Sequence, residues 1–130
     1  MPLPIHEIHI KRLEIFHLYW MKRRFSVYPN LKELWLWGKP GYIRNFSALE
    51  RFRNIEVFAT RNLFGFSSED IPMPERMEHL NWLWMTGLPE DAAKCIKKLY
   101  KKRKNEGMNL SVTQARKPDP VHQFRYISFD

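Results

Sequence analysis

Apolar and polar residues recur along this chain in one fixed spacing. NLKELWLWGKP (30–40) aligns without a gap on HLNWLWMTGLP (79–89), 49 residues later. Leu31, Leu34 and Leu36 fall on Leu80, Leu83 and Met85, Gly38 falls on Gly87, and Pro40 on Pro89. Each segment carries a pair of tryptophans, Trp35 and Trp37 in the first and Trp82 and Trp84 in the second. Halfway between lies NIEVFATRN (54–62), in which Ile55, Phe58 and Thr60 take the same three positions. The units therefore start at Leu31, Ile55 and Leu80, with periods of 24 and 25 residues, the kind of internal repeat that has to be found before any fold is assigned. Ile10, Leu13 and Ile15 repeat the spacing upstream. Downstream, Met108 and Leu110 fit the second and third positions of a unit beginning at Asn105, whose first position is polar.

The pieces between these units carry turn and helix signals. Ser47-Ala48-Leu49-Glu50 has the S-x-x-E form of a capping box and predicts a short helix ending before Asn54. SSEDIPMPERM (67–77), with two prolines, predicts turns and little regular helix. Pro89-Glu90-Asp91 is a helix start, with proline near the first position and two carboxylates at the positive dipole end. From there Ala92, Ile96, Leu99 and Tyr100 line one face, Lys97, Lys98, Lys101 and Lys104 the wet one, and Asn105 or Gly107 ends the helix. FRYISFD at the C-terminus alternates and predicts a closing strand.

The spacing apolar-x-x-apolar-x-apolar every 20–29 residues resembles the leucine-rich-repeat family. It is carried by LKELWL, IEVFAT and LNWLWM, with a weaker IKRLEI before them, over most of residues 10 to 115. The Asn or Cys that normally follows the strand is absent, with Gly38, Asn62 and Gly87 near that point, so the resemblance is to an irregular member. It implies an α/β solenoid arc of four or five repeats, with a parallel concave sheet and short helices or turns on the convex side. The chain is then one domain, residues 1–130, with 1–9 and 116–130 as end caps. Dimerisation, or a place in a larger assembly, is the other way to protect the ends of so short an arc.

Alternation along a strand sends the residues between the core positions to the opposite face. That face carries Glu33, Trp35 and Trp37 in one unit, then Val57, Ala59 and Arg61, then Trp82, Trp84 and Thr86. Arg12, Glu14 and Phe16 extend it at one side. Two tryptophan pairs flank a strand bearing a small alanine, which predicts a shallow cleft floored by Ala59 with aromatic walls. Exposed aromatic surface marks contact sites, and tryptophan is favoured among binding hot spots. Glu33, Trp35, Trp37, Arg61, Trp82 and Trp84 are accordingly the candidate partner-binding residues. Two other arrangements stay open: rings packed on one another, and, with a register one residue out, rings in the core.

Composition narrows the rest. The apolar share of 44 % suffices for a packed core. No apolar run approaches the roughly 18–20 residues that cross a bilayer, and MPLPIHEIHIKR lacks a secretion signal. One cysteine, Cys95, suits a reducing compartment, so a cytoplasmic protein is expected. The net charge of +8 favours an anionic partner. Lys97, Lys98, Lys101, Lys102, Arg103 and Lys104 crowd into KKLYKKRK and form the candidate anion-binding site, with a smaller cluster at Lys22, Arg23 and Arg24.

No catalytic constellation emerges. His6-x-x-His9 lacks a second ligand pair, and His17, His79 and His122 are scattered. Cys95 has no neighbouring base, Glu69/Asp70 and Glu90/Asp91 suit loop and helix-start roles, and Gly38-Lys39-Pro40-Gly41 does not match a phosphate-cradling loop. The expectation is a non-enzyme, without metal or cofactor, that binds a protein partner; the resemblance extends to small bacterial or phage-borne leucine-rich-repeat interaction proteins, some of which act as inhibitors or immunity factors. The alternative is a nucleic-acid-associated protein using the basic 97–104 helix on the side away from the tryptophans.

Overall fold

The computed structural model describes residues 11–15, 30–37, 41–61, 63–66, 68–115 and 126–128. Within them, every unit of the repeat carries a strand. β1 (Arg12–Ile15), β2 (Glu33–Leu36), β4 (Val57–Arg61), β6 (Trp82–Leu88) and β7 (Asn109–Gln114) lie side by side in that order, each parallel to its neighbours. β3 (Gly41–Arg44), β5 (Leu63–Gly65) and β8 (Tyr126–Ser128) make a second parallel sheet in the order β5-β3-β8. The architecture is α/β, with two helical segments, α1 (Glu90–Leu99) and α2 (Lys101–Asn105), between β6 and β7.

The repeat positions coincide in space. Leu34, Phe58 and Leu83 are register partners in succession, as are Leu36, Thr60 and Met85. With Leu31, Ile55 and Leu80 they form nine positions at most 3 % exposed. Burying each large apolar side chain among them contributes about 1.5–3 kcal/mol. The one polar member, Thr60, has a buried hydroxyl with no hydrogen-bond partner among the described residues.

Two expectations about the last unit change. Leu110 and Val112 are the register partners of Leu83 and Met85, so they, and not Met108 and Leu110, occupy the second and third positions. Met108 is buried for another reason. The amide of Gly107 donates to Lys104 O at 3.0 Å and that of Met108 to Arg103 O at 2.9 Å, the bond pair of a Schellman motif with Gly107 at φ 110°. That turn lengthens the last period and leaves Met108 in the core. The C-terminal strand forms at Tyr126–Ser128, but beside β3 in the second sheet and not in the five-stranded one. The remainder of both expected end caps, together with Ile10, Phe16, Gly38, Asn62 and the cluster Lys22, Arg23 and Arg24, lies outside the described residues.

The connections are tighter than ordinary helix. Phe46–Arg51 is a 3₁₀ turn entered through Asn45 in the left-handed region (φ 51°). Ser47 and Glu50 do not close a capping box. Ser47 donates to Asp70 Oδ1 at 2.6 Å, the Phe46 amide to Asp70 Oδ2 at 2.7 Å, and Glu50 Oε1 accepts the Met73 amide at 2.9 Å. Both side chains thus reach the following connection, whose prolines sit among the turns predicted there: Ser68–Asp70 and Pro74–Arg76.

The helix begins as expected at Glu90, with Lys94 paired to Glu90 at 2.8 Å, and buries Ala92, Ala93 and Ile96. It breaks at Tyr100 (φ −99°, ψ 10°), whose ring is buried and whose hydroxyl donates to Pro72 O at 2.6 Å. No helix among the described residues is long and apolar enough to cross a membrane.

Two tests follow. A Cβ at Gly107 meets no heavy atom within 4 Å, so Gly107→Ala isolates the backbone cost of its positive φ. It should lower the urea-unfolding free energy by about 1–2 kcal/mol. Burial, opposed in part by the Arg103 guanidinium, holds the Tyr100 phenol protonated well above the ordinary tyrosine range. A pKa raised by folding contributes stability that is complete below the unfolded value, about 10, and is lost as pH rises above it. Stability of the native chain should therefore fall more steeply above about pH 10 than that of Tyr100→Phe, the comparison cancelling the lysine titrations they share.

Candidate functional site

The residues between the core positions share the opposite face of the five-stranded sheet. One row across the strands reads Arg12, Glu33, Val57, Trp82, Asn109; the next reads Glu14, Trp35, Ala59, Trp84, Ser111. Arg61 and Thr86 are partners in a third row, and Trp37 directly follows β2. Trp35, Trp37, Trp82 and Trp84 are all half-buried, and their strands alternate buried and half-buried positions as the spacing requires. The register stands, and the tryptophans are not core.

Their arrangement departs from the expected cleft. The pairs are staggered, Trp84 lying in the row of Trp35 and Trp82 in that of Glu33. The diagonal pair Trp35 and Trp82 closes to 6.2 Å between ring centroids. Trp37 stacks on Trp35 at 5.9 Å with 20° between planes, and Trp84 lies 4.7 Å from Trp82. The four indoles form one continuous array, and Ala59, only 4 % exposed, lies covered and not at the floor of an open cleft. A single small residue between two indoles leaves too little room for an open channel, and closing over it removes apolar surface from water.

Polar side chains fix the array. Trp37 Nε1 donates to Glu14 at 2.7 Å, Trp35 Nε1 to Glu33 at 3.1 Å, and Trp84 Nε1 to Asn109 at 2.8 Å. Trp82 Nε1 is buried with no partner among the described residues. The Arg61 guanidinium lies 4.7 Å over Trp37 and that of Arg12 5.3 Å over Trp35, so two cations bracket the stacked pair. Each such contact contributes about 0.5–1 kcal/mol at an exposed site. Arg12 also pairs with Glu14 at 3.4 Å and Glu33 at 3.9 Å. The outcome is a pre-ordered, mixed-charge aromatic surface.

Comparison with protein-family models, with curated proteins and with solved structures returns no match.

The basic cluster divides. Arg103 turns inward, half-buried, and donates to Pro74 O at 3.0 Å, Met77 O at 3.1 Å and Leu80 O at 2.6 Å. Its guanidinium is consumed in holding the preceding connection, which removes it from the candidate anion site. Lys98 and Lys102 are exposed on the helical segments. Lys97, Lys101 and Lys104 line a groove with Leu110, Ser111 and Val112 of β7. The lysines thus stand beside the edge strand, while the burial of Ala92, Ala93, Ile96 and Tyr100 in the core keeps the helical segments on the face opposite the tryptophans, as expected. Asn109 and Ser111 were not reached by sequence reasoning, which carried the face no further than Thr86 because the last unit's register was displaced.

Among the described residues no three His, Cys, Asp or Glu side chains are grouped to hold a metal ion. His79 is exposed, and Cys95 is half-buried with its Sγ 3.8 Å from Ser68 O. His6, His9, His17, His122 and the fifth tryptophan, Trp20, lie outside the described residues.

The covered state of Ala59 is open to test. Ala59→Leu should lower stability by about 1–3 kcal/mol through overpacking beneath the rings and should weaken the exciton circular dichroism of the coupled indoles near 230 nm. Unchanged stability and dichroism would mean open space above that residue.

Proposed function

We propose that this chain is a short, irregular leucine-rich-repeat arc, a solenoid whose aromatic face is the concave one, and that it is a non-catalytic module binding a protein partner through that face. Inhibitor or immunity-type action fits such a module. The resemblance rests on the spacing of Leu31, Ile55, Leu80 and their followers, and the parallel sheet agrees with it.

The observation that carries the binding proposal is the four-tryptophan array bracketed by Arg12 and Arg61. Rings already held by Glu14, Glu33 and Asn109 lose little freedom on association, so less of the contact energy is offset by ordering. The filled space over Ala59 argues against a small molecule taken into a cleft. Carboxylates of Glu14 and Glu33 beside the rings oppose a phosphate backbone laid across this face. A protein surface offering apolar and mixed-charge groups suits it best.

The test begins with affinity capture by the full chain, followed by titration of the purified partner. Binding should persist at high salt. Trp84→Ala, checked for folding by circular dichroism, should weaken it by about 2 kcal/mol or more, roughly thirtyfold. Lys101→Glu/Lys102→Glu should leave it nearly unchanged. Binding lost with salt and in the lysine variant, but not in Trp84→Ala, would overturn the proposal in favour of the basic helix.

A further inference from the structure

β7 ends the five-stranded sheet. Its inner edge pairs with β6, and among the described residues no strand pairs with the other. In a parallel ladder a residue's amide and carbonyl point to the same side, and successive residues alternate. The Asn109 amide donates to Asn81 O at 2.8 Å and the Ala115 amide to Leu88 O at 2.8 Å, both toward β6. The backbone groups of Leu110 and Val112 therefore face the open edge. Beside them runs a groove of about 460 Å³ lined by Leu110, Ser111 and Val112 on one wall and by Lys97, Lys101 and Lys104 on the other. The three lysines fall at helical spacing along one line. All are exposed, and none forms an ion pair among the described residues.

Such an edge offers backbone donors and acceptors, a partly apolar floor and a row of positive charge. We propose that it receives one further parallel strand from an acidic, extended segment of a partner protein. Its Asp or Glu side chains point to the helix side of the sheet, as Leu110 and Val112 do, and reach Lys97, Lys101 and Lys104, and the alternate, apolar residues lie beside Ser111 on the other face. This is strand addition, in which main-chain bonds supply affinity and alternate side chains supply specificity. Charge selects the occupant. A second copy related by two-fold symmetry would set one lysine row against another, in a chain whose net charge is already +8. A nucleic-acid strand could meet the lysines but has no alternating amide and carbonyl groups to pair with Leu110 and Val112. This surface is distinct from the aromatic face, and the proposal stands without it.

The experiment uses the full isotope-labelled chain and a fluorescein-labelled ten-residue peptide alternating valine with glutamate. Saturable binding is expected, with slowed hydrogen exchange at the Leu110 and Val112 amides. Lys101→Glu/Lys104→Glu should weaken binding about tenfold. N-methylation of alternate peptide amides should abolish it, and so should lysine in place of glutamate in the peptide. Protection of the two amides in the free chain would overturn the proposal. If independent of concentration it would place the chain's own segment on the edge, and if concentration-dependent a second copy. Equal binding of the N-methylated peptide, or of labelled oligothymidine without amide protection, would reduce the groove to a non-specific anion surface and overturn it as well.

Discussion

At each step along the five-stranded sheet, the amide just before the second core position donates to a carbonyl of the preceding unit. Glu33 reaches Lys11 O at 2.9 Å, Val57 reaches Lys32 O at 3.0 Å, Trp82 reaches Glu56 O at 3.1 Å, and Asn109 reaches Asn81 O at 2.8 Å. This recurring bond sets the parallel register, and the register decides everything above it. With it, Leu34, Phe58 and Leu83 meet in the core while Trp35 and Trp84 flank Ala59 on the other face. A slip of one residue would exchange the two sets and bury the indoles with their N–H groups. The bond is purely backbone, so the side chains enforce it indirectly: only one register buries all nine repeat positions together.

Because the units are short, the connections between strands need help from their neighbours. Asp70 holds the entrance of the 46–51 turn, and Glu50 holds Met73 in return. Tyr100 and Arg103 do the same one unit later, binding the carbonyls of Pro72, Pro74, Met77 and Leu80. Turns of 3₁₀ form leave carbonyls unpaired, and buried carbonyls must find donors. The supplying side chains sit 23 to 29 residues away from the groups they satisfy. Each unit therefore completes the one before it, and the chain is stabilised as a succession of interlocked steps.

This explains which parts could be read from residues alone. Core positions, strand positions and the outward identity of Trp35, Trp37, Trp82 and Trp84 follow from local spacing, since period-two alternation is a local property. What failed were assignments whose deciding partner is remote. Ser47 and Glu50 have the letters of a capping box, but Asp70 and Met73 offer closer bonds across the connection. Arg103 looks like one more member of a basic run until the three carbonyls beneath it are seen. Met108 misled for a local reason: the Schellman turn at Gly107 displaces the strand, so Met108 and Leu110 fit the spacing two residues before the true positions at Leu110 and Val112. β3 and β5 are too short, at four and three residues, to show a period of their own, and their place depends on pairing with each other.

The two surfaces offered to partners differ in kind for the same structural reason. Interior strands have their backbone groups satisfied on both sides, so the face they present can act only through side chains. There the side chains are spent on rigidity: three of the four indole N–H groups and both flanking guanidinium groups are engaged within the face. Binding on it depends on shape and on apolar area already in place, and should be insensitive to salt. Among the described residues no strand pairs with the outer side of the last strand, so its backbone groups can take part in recognition there, and the lysines of α1 and α2 stand beside that edge. Recognition at the edge depends instead on directional main-chain bonds and on screened charge. A finite parallel sheet always has such an edge, and three lysines beside it favour an acidic strand over a further copy of this basic chain.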